Sequence, residues 1–189
     1  MNIESLNTIS QKPTFHGSIV QQTSQKVHNI LDKEDFELLF LDLLDEILPE
    51  PIEINEYGDE IYKSVKCNFG VNGHYKIEIK SGVISIEMIQ MPTKGVEAML
   101  SIIRYAYENG LTKIKGEANP QKKHSSDMNR RVRLLVSFYT SFGCKPELYS
   151  KTGGKYMVMN LSEPGLLEVL YKKTKIFQET GKWPILYTK

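Results

Sequence analysis

The segment from residue 83 to residue 118 restricts this chain more than any other. An apolar strand over residues 83–91 runs into a Pro92-Thr93-Lys94-Gly95 turn, a helix follows over residues 94–109, and a short strand, Lys113–Ala118, comes after it. A strand that feeds a glycine-containing turn and then a helix N-terminus gathers unpaired backbone N–H groups and the positive end of the helix dipole at one point. That is a standard way to hold a phosphate. The helix is well punctuated. Thr93 can cap its start, Val96, Met99, Leu100, Ile103 and Ala106 or Tyr107 form its apolar face, and Asn109-Gly110 supplies a left-handed stop.

The elements on either side are also legible. Phe36, Leu39, Phe40, Leu43, Leu44, Ile47 and Leu48 recur at spacings of three and four with acidic residues between them, which predicts a helix over residues 26–48. Asp32 caps its second part, Pro49-Glu50-Pro51 ends it, and the stripe reads as a core face. Residues 52–91 read as an antiparallel meander: a strand over 60–69, the turn Gly70-Val71-Asn72-Gly73, a strand over 74–80, the tight pair Ser81-Gly82, then the strand over 83–91. Alternation in Tyr75-Lys76-Ile77-Glu78-Ile79-Lys80 predicts one wet face, whereas the next strand is more apolar and more central. Downstream come an open basic loop over 121–127, a helix from Asp127 that stops at Gly143, and two strands around Gly153-Gly154. Ser162-Glu163-Pro164 then starts a last helix ending near Thr180. The apolar run Trp183-Pro184-Ile185-Leu186-Tyr187 is expected to dock on the body.

At 189 residues the chain is long enough for one well-filled core and short for two. The expected organisation is a mobile N-terminal arm over 1–14 and a single domain over 15–189, with a first strand around residues 15–20. The formal net charge of +1 suggests no global polyelectrolyte role, so nucleic acid and acidic membranes are disfavoured partners. Cys67 and Cys144 are far apart without metal-ligand spacing and read as reduced thiols, and His16, His28, His74 and His124 show no metal spacing either. No apolar run reaches the ~18 residues of a membrane helix. The polar N-terminus lacks the apolar core of a signal peptide, so a cytoplasmic location is expected, with export through that segment left open.

The order of elements, the Lys94-Gly95 turn before a helix, the spacing in Tyr139-Thr140-Ser141-Phe142-Gly143 and the closing Tyr156-Met157-Val158-Met159-Asn160-Leu161 together resemble the GCN5-related N-acetyltransferase (GNAT) family. The weight lies in order and spacing over residues 15–161, with the local motifs in 83–161. The resemblance implies an α+β fold: a mixed, mostly antiparallel central sheet flanked by helices on both faces, here with an extra C-terminal helix near 163–180. It implies transfer of an acetyl or other acyl group from acetyl-CoA directly to an amine, with no metal.

On that resemblance the coenzyme half spans residues 83–161. Main-chain groups of Met88, Ile89, Gln90 and Met91 would hold the pantetheine arm as an added strand does. Thr93, Lys94, Gly95 and Val96 would hold the pyrophosphate, with Asn119, Arg130 and Arg131 as further coenzyme contacts. Tyr139 matches the tyrosine that lies near the coenzyme sulfur and protonates the leaving thiolate. Glu87, set inside the apolar strand, is the candidate base for the substrate ammonium, and Glu117 is the reserve.

Two positions depart from the family pattern. Pro92 stands where glutamine or arginine is expected, and Glu97 stands where glycine or alanine lets the backbone approach the phosphates. A carboxylate ~5 Å from a phosphate charge costs on the order of 3 kcal/mol at an effective dielectric of ~20. Two other readings therefore stand beside the transferase: a fold relative that serves as an inactive interaction module, and a binder of a polyanionic or protein partner through Lys122, Lys123, His124, Arg130, Arg131 and Arg133. The acceptor, a small-molecule or a protein amine, is not encoded in any motif. The last helix, with Leu166, Leu167, Leu170 and Ile176, fits either a homodimer interface or a cap on the sheet.

Overall fold

The computed structural model describes residues 33–59, 61–91, 94–119, 128–149 and 154–184. The chain divides into two units, residues 1–36 and 37–189, and of the first only residues 33–36 are described. The expectations for an arm over 1–14 and a strand near 15–20 lie outside the described residues. The elements are α1 (Lys33–Ile47), β1 (Glu53–Gly58), β2 (Tyr62–Asn68), a 3-10 turn (Gly70–Asn72), β3 (His74–Lys80), β4 (Val83–Gln90), α2 (Gly95–Glu108), β5 (Lys113–Ala118), α3 (Met128–Ser141), β6 (Lys145–Tyr149), β7 (Lys155–Asn160) and α4 (Leu166–Thr180).

The seven described strands form one sheet in the order β1-β2-β3-β4-β5-β7-β6. β4 and β5 are parallel, joined through α2, and every other neighbouring pair is antiparallel. The fold is thus the mixed, mostly antiparallel α+β arrangement expected. One row of paired residues crosses the whole sheet: Glu56, Val65, Ile77, Ile86, Gly116, Met157 and Pro146. Paired residues point to the same face, so this row marks one side, on which Val65, Ile77, Ile84, Ile114, Met157 and Met159 are buried. Each such side chain removed from water contributes roughly 1.5–3 kcal/mol.

Among the described residues, α2 and α3 both meet the sheet on that buried face. The Tyr105 hydroxyl of α2 donates to Glu56 Oε1 at 3.3 Å, and the Tyr139 ring of α3 lies over Gly116. Helix α2 is apolar around most of its circumference, with Ala98, Met99, Leu100, Ile102, Ile103 and Ala106 all buried. Its outer side is covered by α1, where Phe40 meets Tyr107 edge to face at 6.0 Å and Asp45 pairs with Arg104 at 2.7 Å. The stop at Asn109-Gly110 forms as expected: Gly110 is left-handed (φ 62°), and the Leu111 N–H returns to the Ala106 carbonyl at 2.8 Å.

Two expectations differ from the structure. Glu53–Gly58 is an edge strand that hydrophobic periodicity misses, because almost all of its side chains are exposed and no apolar face is required of it. Helix α4 starts at Leu166 behind a left-handed Gly165 (φ 79°), rather than at Pro164, which sits in the turn before it. Cys67 and Cys144 are buried free thiols, as read from their spacing.

Gly73 ties the meander to the end of β4. It has φ 103°, and a Cβ placed there would run into the carbonyl oxygen of Gln90. Gly73→Ala is therefore expected to destabilise the protein by about 2–3 kcal/mol, from a strained backbone together with the clash. Urea unfolding of the variant measures this; an unchanged midpoint would contradict the packing of the β3 start against the β4 end.

Candidate functional site at the opening between β4 and β5

The parallel register of β4 and β5 runs from Val83↔Lys113 to Ile86↔Gly116 and stops there. Both strands continue, each with its outer partner. β4 stays paired to β3 through Tyr75↔Ile89 and His74↔Gln90, and β5 stays paired to β7 through Glu117↔Tyr156 and Ala118↔Lys155. A bulge lies at the parting point: Ile77 pairs with Ile86 and Lys76 with Met88, which leaves Glu87 as the extra residue on β4. Bulges bend a strand and increase its local twist, and here the bend coincides with the separation from β5. The result is a wedge whose β4 side carries backbone groups that continued parallel pairing would have used.

The mouth of the wedge is the start of α2. Its cap is Lys94 and not Thr93 as expected; Lys94 makes no side-chain capping bond, and its N–H donates to the Met91 carbonyl at 3.1 Å. The first helical bond is Ala98 N–H to Lys94 O at 3.0 Å, so the N–H groups of Gly95, Val96 and Glu97 stand ahead of the helix ladder. Phe138 of α3 covers Gly95, and an added Cβ there would sit 3.6 Å from its ring, an ordinary contact. Glu97 occupies the third helical position and is half-buried; its charge there suits the helix dipole by about 0.3–1 kcal/mol.

Two of the predicted side chains flank the point where pairing stops, on opposite faces of the sheet. On the buried face, the Tyr139 ring would touch a Cβ at Gly116 at 3.6 Å, and Tyr139 is only 7 % exposed. Burial, with a lesser contribution from the neighbouring Cys144, pushes its phenol up to about 12, and burial alone pushes the Cys144 thiol up to about 12. On the other face, Glu87 is exposed beside Tyr62. The Tyr62 phenol is held above its ordinary range by the hydrogen bond it donates to Glu78, then by lost hydration and by the charges of Glu78 and Glu87.

The remaining predicted residues gather around the same wedge to different degrees. Met88 and Ile89 are half-buried and Gln90 exposed along β4 beyond the bulge, Met91 is buried at its end, and Val96 is half-buried in the first turn of α2. Asn119 follows β5, where its side-chain amide donates to Glu117 Oε1 at 3.3 Å and its backbone N–H to the Glu117 carbonyl at 2.9 Å. Arg130 and Arg131 are exposed in the first turn of α3, with Arg131 two turns before Phe138 on the same side, about 10 Å along the axis. Pro92, Thr93 and the basic loop over 121–127 lie outside the described residues. Three site residues escaped the sequence reading: Gly116, Phe138 and Gly154. A Cβ on the buried Gly154 would meet Glu117 Oε1 at 2.8 Å and the Ala118 carbonyl at 3.0 Å, so this glycine lets β7 start against the end of β5. A glycine inside or next to a short strand is the signal that flags such close approaches.

Among the described residues no group of three or more His, Cys, Asp or Glu could hold a metal ion, and no helix is long and apolar enough to cross a membrane. No protein-family model matches the chain, and no curated protein matches it. Among solved structures, the crystal structure of the anti-CRISPR protein AcrVA5 is similar with a TM-score of 0.40 and 24% sequence identity, over 51% of this chain and 98% of that one. So distant a likeness bears on none of the residues above.

The buried acids make stability depend on alkaline pH. In the unfolded chain Cys144 and Tyr139 release protons near their ordinary 9.0 and 10.0, whereas folded they hold them to about 12, and Tyr107 does the same. The unfolded state therefore binds fewer protons above pH 9, and stability falls from there through pH 12. Urea midpoints should be flat between pH 6 and 8.5 and drop steeply above. Tyr139→Phe should shallow that drop; the same slope in the variant would mean that the phenol ionises freely in the folded protein.

Proposed function

We propose that this chain is an acyl-CoA-dependent N-acyltransferase of the GNAT type, working at the wedge between β4 and β5. One observation carries the reading: parallel pairing stops at Ile86↔Gly116, where the bulge sets Glu87 on one face and Tyr139 covers the other. Apart from Glu97, the described residues around the wedge suit the coenzyme. The backbone of Met88, Ile89 and Gln90 offers groups without a β5 partner, as an added strand needs, and the first N–H groups of α2 with Lys94 suit a pyrophosphate. Arg130 and Arg131 supply positive charge for a further phosphate. The coenzyme would bring the acyl group as a thioester; the acceptor amine comes from solution.

The chain's own residues then divide the work. Glu87, exposed on the open face, takes the proton of the substrate ammonium, directly or through a water, so that the nitrogen lone pair can attack. A C–N bond would form as the C–S bond breaks, with the electron pair leaving on sulfur; that sulfur takes the second proton of the attacking nitrogen, so the products are the amide and the free thiol. Tyr139 keeps its proton at about 12, so its part is a hydrogen bond donated to that sulfur. Full transfer to a thiol of ordinary pKa near 8.5 would cost about 5 kcal/mol. Gly116 leaves room between the phenol and the strand ends, and the buried helix face excludes water from that side.

Acetyl-CoA should raise the melting temperature by several degrees at ~100 times Kd, since ~2.7 kcal/mol of binding linkage is then available. No shift at millimolar acetyl-CoA would remove the reading. Given binding, Glu87→Gln should lower kcat about 100-fold or more and Tyr139→Phe about 10- to 100-fold, each with coenzyme affinity nearly unchanged. Equal turnover in either variant would take that residue out of the mechanism.

The half-buried Glu97 in the first turn of α2 favours a second reading, an interaction module that has lost coenzyme binding. The two separate on Glu97→Gln. In a transferase whose Glu97 opposes the phosphates the variant binds coenzyme A at least several-fold more tightly, by the Coulomb cost of ~3 kcal/mol discounted for screening. In a module the variant leaves a protein that shows no shift with the coenzyme unchanged in that respect.

A further inference from the structure

The segment after α4 folds back onto the end of α3. Helix α4 stops at Thr180, and Gly181 turns left-handed (φ 66°) with its N–H on the Phe177 carbonyl at 2.8 Å. The Lys182 N–H donates to Thr180 Oγ1 at 3.2 Å. Trp183 then lies flat on Phe142, ring centroids 4.3 Å apart and planes at 13°, and meets Phe177 edge to face at 6.2 Å. Its indole N–H donates to Ser141 Oγ at 2.9 Å, and that hydroxyl donates onward to the Phe138 carbonyl at 2.6 Å. Lys173 of α4 donates to the Ser141 carbonyl at 2.5 Å. Trp183 and Ser141 are buried, 8 % and 2 % exposed, so these bonds form with little competition from water.

The clamped turn holds two parts of the candidate site. Phe142 packs on Phe138 at 5.2 Å, and Phe138 covers Gly95 at the start of α2 while meeting the Tyr139 ring at 5.5 Å. A continuous aromatic ladder, Trp183-Phe142-Phe138, therefore runs from the C-terminal segment to the helix start that would hold the pyrophosphate, with Tyr139 against its side. The Tyr139 carbonyl also accepts the N–H groups of Phe142 at 3.1 Å and Cys144 at 3.2 Å, so the backbone that aims the phenol belongs to this same turn.

We propose that Trp183 is a positioning residue for acyl transfer: it locks the last turn of α3 so that the Tyr139 hydroxyl meets the sulfur while Phe138 supports the start of α2. The inference rests on the transferase reading. Stacking alone would make any large ring sufficient. The hydrogen bond through Ser141 to the Phe138 carbonyl fixes the indole's rotation as well, and so separates tryptophan from phenylalanine at this position.

The test uses the full chain, acetyl-CoA and hydroxylamine as a generic acceptor, with thiol release above the uncatalysed reaction of hydroxylamine with the thioester as the readout and every assay run well below the variant's melting temperature. Wild type is first shown to bind acetyl-CoA by thermal shift. Trp183→Phe, which keeps the stack and loses the donor, should then lower kcat about ten-fold while Kd for coenzyme A changes less than about three-fold. In a Tyr139→Phe background the same substitution should cost less than two-fold further, because its effect passes through the phenol. Trp183 is the chain's single tryptophan, so its emission reports on the ladder directly and should change when coenzyme A binds. Wild-type turnover in Trp183→Phe, a loss that multiplies undiminished in the Tyr139→Phe background, or unchanged emission despite a thermal shift would each overturn the proposal and leave the transferase standing. Absence of the thermal shift in wild type would overturn both.

Discussion

The structure turns on the shortness of one parallel strand pair. β4 and β5 share a register of four residues and then part, although neither strand ends there. A backbone that leaves a ladder must find other partners for its N–H and C=O groups, in water or in a ligand, because leaving them buried and unpaired costs as much as a lost hydrogen bond. The bulge at Glu87 makes the departure abrupt rather than gradual, and the outer pairings to β3 and β7 hold the two sides apart. An opening in the middle of a sheet, lined on one side by strand backbone and closed at one end by a helix start, follows from those constraints alone.

The helices keep that opening in shape. α2 returns the chain from the end of β4 to the start of β5, and its burial on several sides, against the sheet and against α1, leaves it little freedom to shift. α3 lies on the same face and reaches both the parting point, through Tyr139, and the start of α2, through Phe138. The two catalytic roles proposed sit on opposite faces of the sheet for the same reason. The side that packs helices desolvates a phenol and keeps it protonated, whereas the open side leaves a carboxylate in water and accessible to an amine.

Much of this was legible in residue order. The meander, the turn at Gly70–Asn72, α2 with its Asn109-Gly110 stop, and α3 ending before Gly143 all carry strong periodicity or punctuation. The edge strand Glu53–Gly58 carries neither, because a strand buried on no face has no reason to alternate. Tyr139 could be picked out by its spacing to Gly143, and Glu87 by its charge in an apolar run, yet nothing in sequence distinguishes a bulged glutamate from a paired one. Gly116 carries no signal of its role and Trp183 only that of a docked apolar run, since the partners that define them, Tyr139 and Ser141, lie more than 20 and 40 residues away.

Apart from the edge strand β1 and the start of α4, the sequence by itself determined which segments are strands and helices and where the turns fall, because those are local matters of period, φ and capping. Only the tertiary structure decided that β4 and β5 separate at Ile86 and Gly116, that Glu87 and Tyr139 face the separation from opposite sides, and that Trp183 clamps the helix carrying Tyr139. These depend on contacts between residues far apart in the chain. The register of a sheet and the stacking of two rings are properties of pairs, and no single segment encodes a pair.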